Sequence, residues 1–134
     1  MCFVPLRIDG AARNFPINGF QGQPIVVKGN PSRIRSYMYP SDLVKSLLTV
    51  VVQSTYRNVN IGSENPISKR HLANLISAQT SKSEIILTDP SAEPSNYVPS
   101  ISNLKELMPD TNFLGIKDSI EKWIDWFHAQ VLAR

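Results

Sequence analysis

The chain has 134 residues, 42% of them hydrophobic, and a formal net charge of +3. That length suits one domain, residues 1–134, and is too short for a dinucleotide-binding domain joined to a substrate domain of ordinary size. The longest apolar run, residues 47–52, is broken by Thr49 and falls far short of the ~20 residues of a membrane span. Residues 1–10 carry Arg7 and Asp9 and lack a signal-peptide pattern, and a lone Cys2 excludes an internal disulfide and fits a reducing cytoplasm. The basic residues are scattered and do not interleave with aromatics, so nucleic-acid binding is not expected.

In chain order, residues 1–6 read as the end of a strand. Residues 7–20 read as irregular, with a middle that could be helical but is weakened by Pro16 and Gly19. Residues 24–29, Pro-Ile-Val-Val-Lys-Gly, predict a strand closed by glycine, and Asn30-Pro31-Ser32 a turn. Residues 35–39 alternate as a tyrosine-bearing strand, which would put Arg35 and Tyr37 on one face. A helix then opens at Pro40-Ser41-Asp42, with Ser41 as its cap and Leu43, Val44, Leu47, Leu48 and Val51 at helical spacing. Residues 59–61 predict a short strand, residues 67 onward a helix, residues 84–88 a third β run, and residues 89–99 a long proline-rich loop. A short helix over 101–107 stops at Pro109. The last helix, about 116–132, carries Ile116, Ile120, Trp123, Ile124, Phe127 and Val131 as an apolar stripe. The order predicts a small α/β or α+β lobe, with few short strands covered by about four to five helices.

Catalytic motifs are missing. No glycine-rich phosphate cradle, no nucleophile elbow and no metal-ligand spacing of His71 and His128 is present, so no catalytic, metal-binding or cofactor-binding residue is assigned. The informative segment is residues 28–43. Its guanidinium groups match phosphate oxygens, and Arg35 with Tyr37 could hold a diphosphate. The alternative is that Arg35 merely pairs with Asp42 or another surface acid.

The segment Gln23-Pro24-Ile25-Val26-Val27-Lys28-Gly29, followed by Arg35-Ser36-Tyr37-Met38-Tyr39-Pro40-Ser41-Asp42-Leu43, resembles the C-terminal half of the NAD-dependent epimerase/dehydratase family. These are extended short-chain dehydrogenases/reductases, acting as isomerases or lyases on nucleotide sugars in carbohydrate metabolism. Asn58 to Ser68, Tyr97-Val98-Pro99-Ser100 with Leu104 to Leu107, and Leu114 to Trp126 are similar to later family segments in the same order.

The resemblance implies that Arg35 binds the diphosphate of a nucleoside-diphosphate sugar with Tyr37 beside it. It also implies that Asn14 lies near the diphosphate and sugar, Lys28 against the base, and Asn65 in a loop bordering the nucleotide pocket. Asn14 and Asn65 as turn formers, and Lys28 as a solvated strand end, are the alternatives. NAD is expected for full-length members, whose cofactor glycines and Tyr-x-x-x-Lys pair this chain lacks. The family's second phosphate-binding arginine is also missing, since residues 91–96 contain none.

The expectation is therefore a substrate-binding lobe without its Rossmann half, inactive alone. The alternative is a non-catalytic interaction module, self-associating or binding a protein partner such as a cofactor-binding domain through an open face.

Overall fold

The computed structural model describes residues 11–93 and 95–132, so the expected strand over residues 1–6 lies outside the described residues. The protein is a small mixed α/β chain whose described residues form two compact units, each built from two separate stretches of chain.

The first unit contains α1 (Ala11–Phe20), β1 (Ile25–Lys28), α3 (Lys69–Gln79) and β4 (Ile85–Thr88). β1 and β4 pair in parallel, from Ile25 opposite Ile85 to Lys28 opposite Thr88. The two-residue period buries Ile25 and Val27 completely and leaves Lys28 exposed. Leu72, Ala73 and Ile76 of α3 complete this core with Phe15 of α1. α1 resolves the open reading of this segment in favour of a helix, which continues through Pro16 and Gly19 to Phe20. Burial of Phe15 and Pro16 opposes the roughly 3 kcal/mol that an interior proline costs a helix. Gly19 is in this helix because α1 needs the space: a Cβ there would lie 2.5 Å from Thr80 Oγ1. β1 closes on Gly29 at φ +73, and Asn30 Oδ1 accepts from the Ser32 N–H at 2.8 Å, making the expected turn.

The second unit contains β2 (Ile34–Arg35), α2 (Pro40–Gln53), β3 (Ile67–Ser68), α4 (Ser102–Leu107) and α5 (Ile116–Phe127), followed by a π-helical turn, His128–Leu132. The expected strand over 35–39 shrinks to β2, antiparallel to β3 with Arg35 opposite Ile67. The next residue opposite Ser36 would be Pro66, which has no N–H to continue the ladder. The expected strand over 59–61 is irregular. Val59 and Ile61 instead pack on the buried cluster Ile101, Leu104 and Met108, together with Val50, Leu107 and Phe113.

α2 starts one residue before the expected cap. Tyr39 is extended at the N-cap position, Pro40 takes the first helical position, and Ser41 is inside the helix. Asp42 lies in the first turn as expected, and its Oδ2 accepts the Leu114 N–H at 2.8 Å. In α5, Ile120 and Ile124 are buried and Trp123 stacks on Phe127 with ring centroids 5.1 Å apart. No described helix is long and apolar enough to cross a membrane.

Candidate anion-binding site

The site grows from the segment that links β2 to α2. Ser36 anchors it: its hydroxyl accepts from the Ser63 N–H at 2.7 Å and donates to the Ser63 carbonyl at 3.1 Å. Gly62 permits this approach, since a Cβ there would lie 3.1 Å from both Ser36 Oγ and Pro99 Cγ. The clasp ties the segment bearing Arg35 and Tyr37 to the loop bearing Asn65. The Ser63 hydroxyl then accepts the Asn65 N–H at 3.1 Å. Asn65 is exposed and lines a polar cleft with Ser63, Glu64, Thr111, Asn112 and Phe113. Lys105 pairs with Glu64 at its edge.

On the other side, the segment starting at Ser95 runs beside β2. Asn96 Oδ1 accepts the Ile34 N–H at 2.9 Å, the Tyr97 N–H reaches the Ile34 carbonyl at 3.3 Å, and Arg35 bridges Tyr97 in parallel. Arg35 Nη1 donates to the carbonyls of Ser95 and Ile34, and Nη2 reaches Ser95 Oγ at 3.5 Å. Arg33 Nε donates to the same Ser95 carbonyl at 3.2 Å. Neither guanidinium has a carboxylate partner among the described residues, and Asp42 is engaged with Leu114 instead. Burial pushes the half-buried Tyr37 phenol above its ordinary pKa, while the Arg33 charge pulls it partly back. Tyr37 therefore stays a neutral hydrogen-bonding group at physiological pH.

Of the residues implied by the resemblance, Arg35, Tyr37 and Asn65 belong to the second unit. Asn14 and Lys28 belong to the first, where Asn14 is half-buried in α1 and Lys28 is exposed at the end of β1. The Lys28 carbonyl accepts from Lys69 Nζ at 2.9 Å. Sequence reasoning did not single out Arg33, Ser36 or Ser95. Arg33 carried a signal, being two residues from Arg35. Ser36 and Ser95 carried none, because their roles depend on partners 27 and 60 residues away.

A cofactor cradle does not fit the described residues. β1 runs through Gly29 into Asn30-Pro31 and β4 into Asp89-Pro90, so neither strand opens onto a helix N-terminus that could hold a dinucleotide pyrophosphate. Among the described residues no cluster of three or more His, Cys, Asp or Glu side chains could hold a metal ion.

Comparisons with known proteins find likeness to one group of enzymes. No family model matches the chain. It is 28% identical over 120 residues to UDP-glucuronic acid decarboxylase 1 of Danio rerio, covering 88% of this chain and 29% of the relative. It is 27% identical over 112 residues to GDP-L-fucose synthase of Dictyostelium discoideum, covering 78% of this chain and 34% of the relative. An epimerase from Methanothermobacter thermautotrophicus superposes with a TM-score of 0.80 at 18% identity, covering 95% of this chain and 39% of that one. A Bacillus cereus UDP-glucuronic acid 4-epimerase, solved with UDP-glucuronic acid and NAD, gives 0.74 at 16% identity, covering 92% and 41%.

In sequence and in fold the chain is thus similar to part of NAD-dependent nucleotide-sugar epimerases, dehydratases and decarboxylases. It spans about a third of the length of the curated relatives it matches.

Proposed function

We propose that the chain is the C-terminal, substrate-binding lobe of a nucleotide-sugar epimerase or dehydratase. It holds a nucleoside-diphosphate sugar weakly through Arg35 and Tyr37 and is inactive alone. The observation that carries this reading is an arginine without a carboxylate partner among the described residues, two positions from a neutral phenol. A guanidinium held by carbonyls keeps its full charge for an anion and offers a planar fork to phosphate oxygens. Asn65 would border the nucleotide, and Asn14 and Lys28 would serve the sugar and base. NAD and the proton-transfer groups would come from the portion of the relatives that this chain does not cover, in a cytoplasmic setting. Because the relatives are named for UDP-glucuronic acid and GDP-L-fucose, uridine and guanosine diphosphate sugars are the first probes. Titrating them while following amide signals should shift residues around Arg35, and Arg35→Met should abolish the shifts. Unchanged spectra at millimolar ligand would sink the binding claim. Turnover by the chain with added NAD would sink the claim of inactivity.

One observation favours a second reading, an interaction module that self-associates. α2 turns six aliphatic side chains to solvent, from Leu43 at 41% exposure to Val51 at 80%. Contiguous apolar patches of this kind mark interaction surfaces.

A further inference from the structure

Two guanidinium groups converge on one backbone oxygen. Arg33 Nε and Arg35 Nη1 both donate to the Ser95 carbonyl, and no carboxylate among the described residues neutralises either. Like charges this close raise each other's energy unless an anion is shared. Arg33 engages Ser95 through Nε alone, which leaves both terminal nitrogens of its fork without a partner among the described residues. Tyr37 lies within the field of the Arg33 charge, so the phenol and both arginines form one cluster. The Ser95 segment supplies only neutral acceptors: its carbonyl, its hydroxyl and the adjacent Asn96 amide. A doubly cationic fork built at the start and end of a short strand segment, Arg33 just before β2 and Arg35 within it, fits a diphosphate, whose oxygens can be shared between two guanidinium planes.

We infer that Arg33 and Arg35 form a two-arginine diphosphate clamp, with Arg33 as the second anion-binding arginine and the Ser95 carbonyl holding the pair together. This rests on the reading of Arg35 as a diphosphate ligand, but it assigns a residue and a geometry that reading does not contain. Arg33 binds the ligand directly through its terminal nitrogens, and Ser95 positions both arginines.

Calorimetric titration of the full chain with inorganic pyrophosphate and with UDP-glucose tests the clamp. Arg33→Met should weaken pyrophosphate binding about tenfold or more, the loss expected for one charge-assisted contact. Arg33→Lys keeps the charge without the fork and should fall between Met and the native chain. It also remains informative if Arg33→Met fails to fold. Arg57→Met, at an exposed loop position, should bind as the native chain does. If Arg33→Met binds normally while Arg35→Met does not, the clamp is overturned and the single-arginine reading survives. Equal loss in Arg57→Met would mean diffuse attraction to a basic surface and would also overturn it. Pyrophosphate bound through both arginines, with no affinity for UDP-glucose, would support the clamp and overturn the sugar-nucleotide reading. A native chain that binds neither ligand removes both.

Discussion

The Ser36 hydroxyl holds the backbone of Ser63 from both sides, accepting its N–H at 2.7 Å and donating to its carbonyl at 3.1 Å. Ser63 is buried, so the two backbone groups have poor access to water. Ser36→Ala should therefore destabilise the chain by about 1–3 kcal/mol, the cost of leaving buried polar groups unpaired. Urea denaturation measures this. Because Ser36 lies between Arg35 and Tyr37, the same substitution should also weaken anion binding in a chain that remains folded. A stability change under about 0.3 kcal/mol, below the worth of an ordinary hydrogen bond, would contradict the clasp.

Asp42 links the start of α2 to the approach to α5 through the Leu114 N–H at 2.8 Å, and its charge also suits the first turn of a helix. Asp42→Ala should cost about 1–2 kcal/mol. Asp42→Asn keeps an acceptor and loses only the charge, so it should cost less than half of that. The order of thermal midpoints, native above Asn above Ala, is the check. Equal midpoints for Asn and Ala would assign the effect to charge alone.

How far the sequence reached depends on the range of the interaction. β1, α2, α5 and the turn at Asn30 were legible, because local period, proline and glycine decide them. Gly19 was misread for a physical reason. Its low helix propensity is a local signal, whereas its contact with Thr80 spans the unit and outweighs that propensity. The tyrosine-bearing strand failed at Pro66, whose effect on Ser36 depends on an antiparallel register that no local pattern reveals. Arg35 and Tyr37 stood out by residue type. The Ser95 carbonyl that Arg33 and Arg35 share did not, because a backbone oxygen leaves no mark on a sequence.

Gly19 gives a direct test of packing. A Cβ there meets Thr80 Oγ1 at 2.5 Å, Cβ at 3.1 Å and Cγ2 at 3.2 Å, and the Thr80 hydroxyl is itself bonded to the Ile76 carbonyl at 2.9 Å. Gly19→Ala should destabilise by about 1–3 kcal/mol despite the better helix propensity of alanine. Combining it with Thr80→Ala removes Oγ1 and Cγ2 but leaves the Thr80 Cβ, and should recover part of the loss. Strict additivity of the two substitutions in denaturant would show that the contact does not couple them.

Two of the four tyrosines are held above the ordinary value, Tyr37 by burial and Tyr56 by its hydrogen bond to the Glu106 carboxylate. Alkaline titration at 295 nm should show two phenols ionising late. Arg33→Met removes the cation that lowers Tyr37 and should delay that phenol further. The folded chain keeps the Tyr37 proton at pH values where the unfolded chain, with a pKa of about 10, has lost it. The associated stability is thus fully present below pH ~10 and is lost as pH rises through the higher folded value. Glu106→Gln should bring Tyr56 back towards the ordinary value and leave Tyr37 unmoved.

The solvent-facing side of α2 carries the interaction-module reading. Leu48 is 62% exposed, Val51 80% and Val52 78%, while Ser46 on the opposite face is buried and bonded to the Asp42 carbonyl at 2.7 Å. This helix has its small polar residue inside and its aliphatic ridge outside, the reverse of a solvated surface helix. Light scattering should show the apparent mass rising with concentration towards twice the monomer. Leu48→Lys and Val51→Lys replace exposed side chains, so each should change folding stability by no more than about 0.5 kcal/mol. Together they should keep the chain monomeric, because a charge in an apolar contact costs far more than one in water. Glu121→Lys, exposed on α5, serves as a control for added charge and should leave association unchanged. A native chain that stays monomeric up to the highest soluble concentration would exclude self-association through α2.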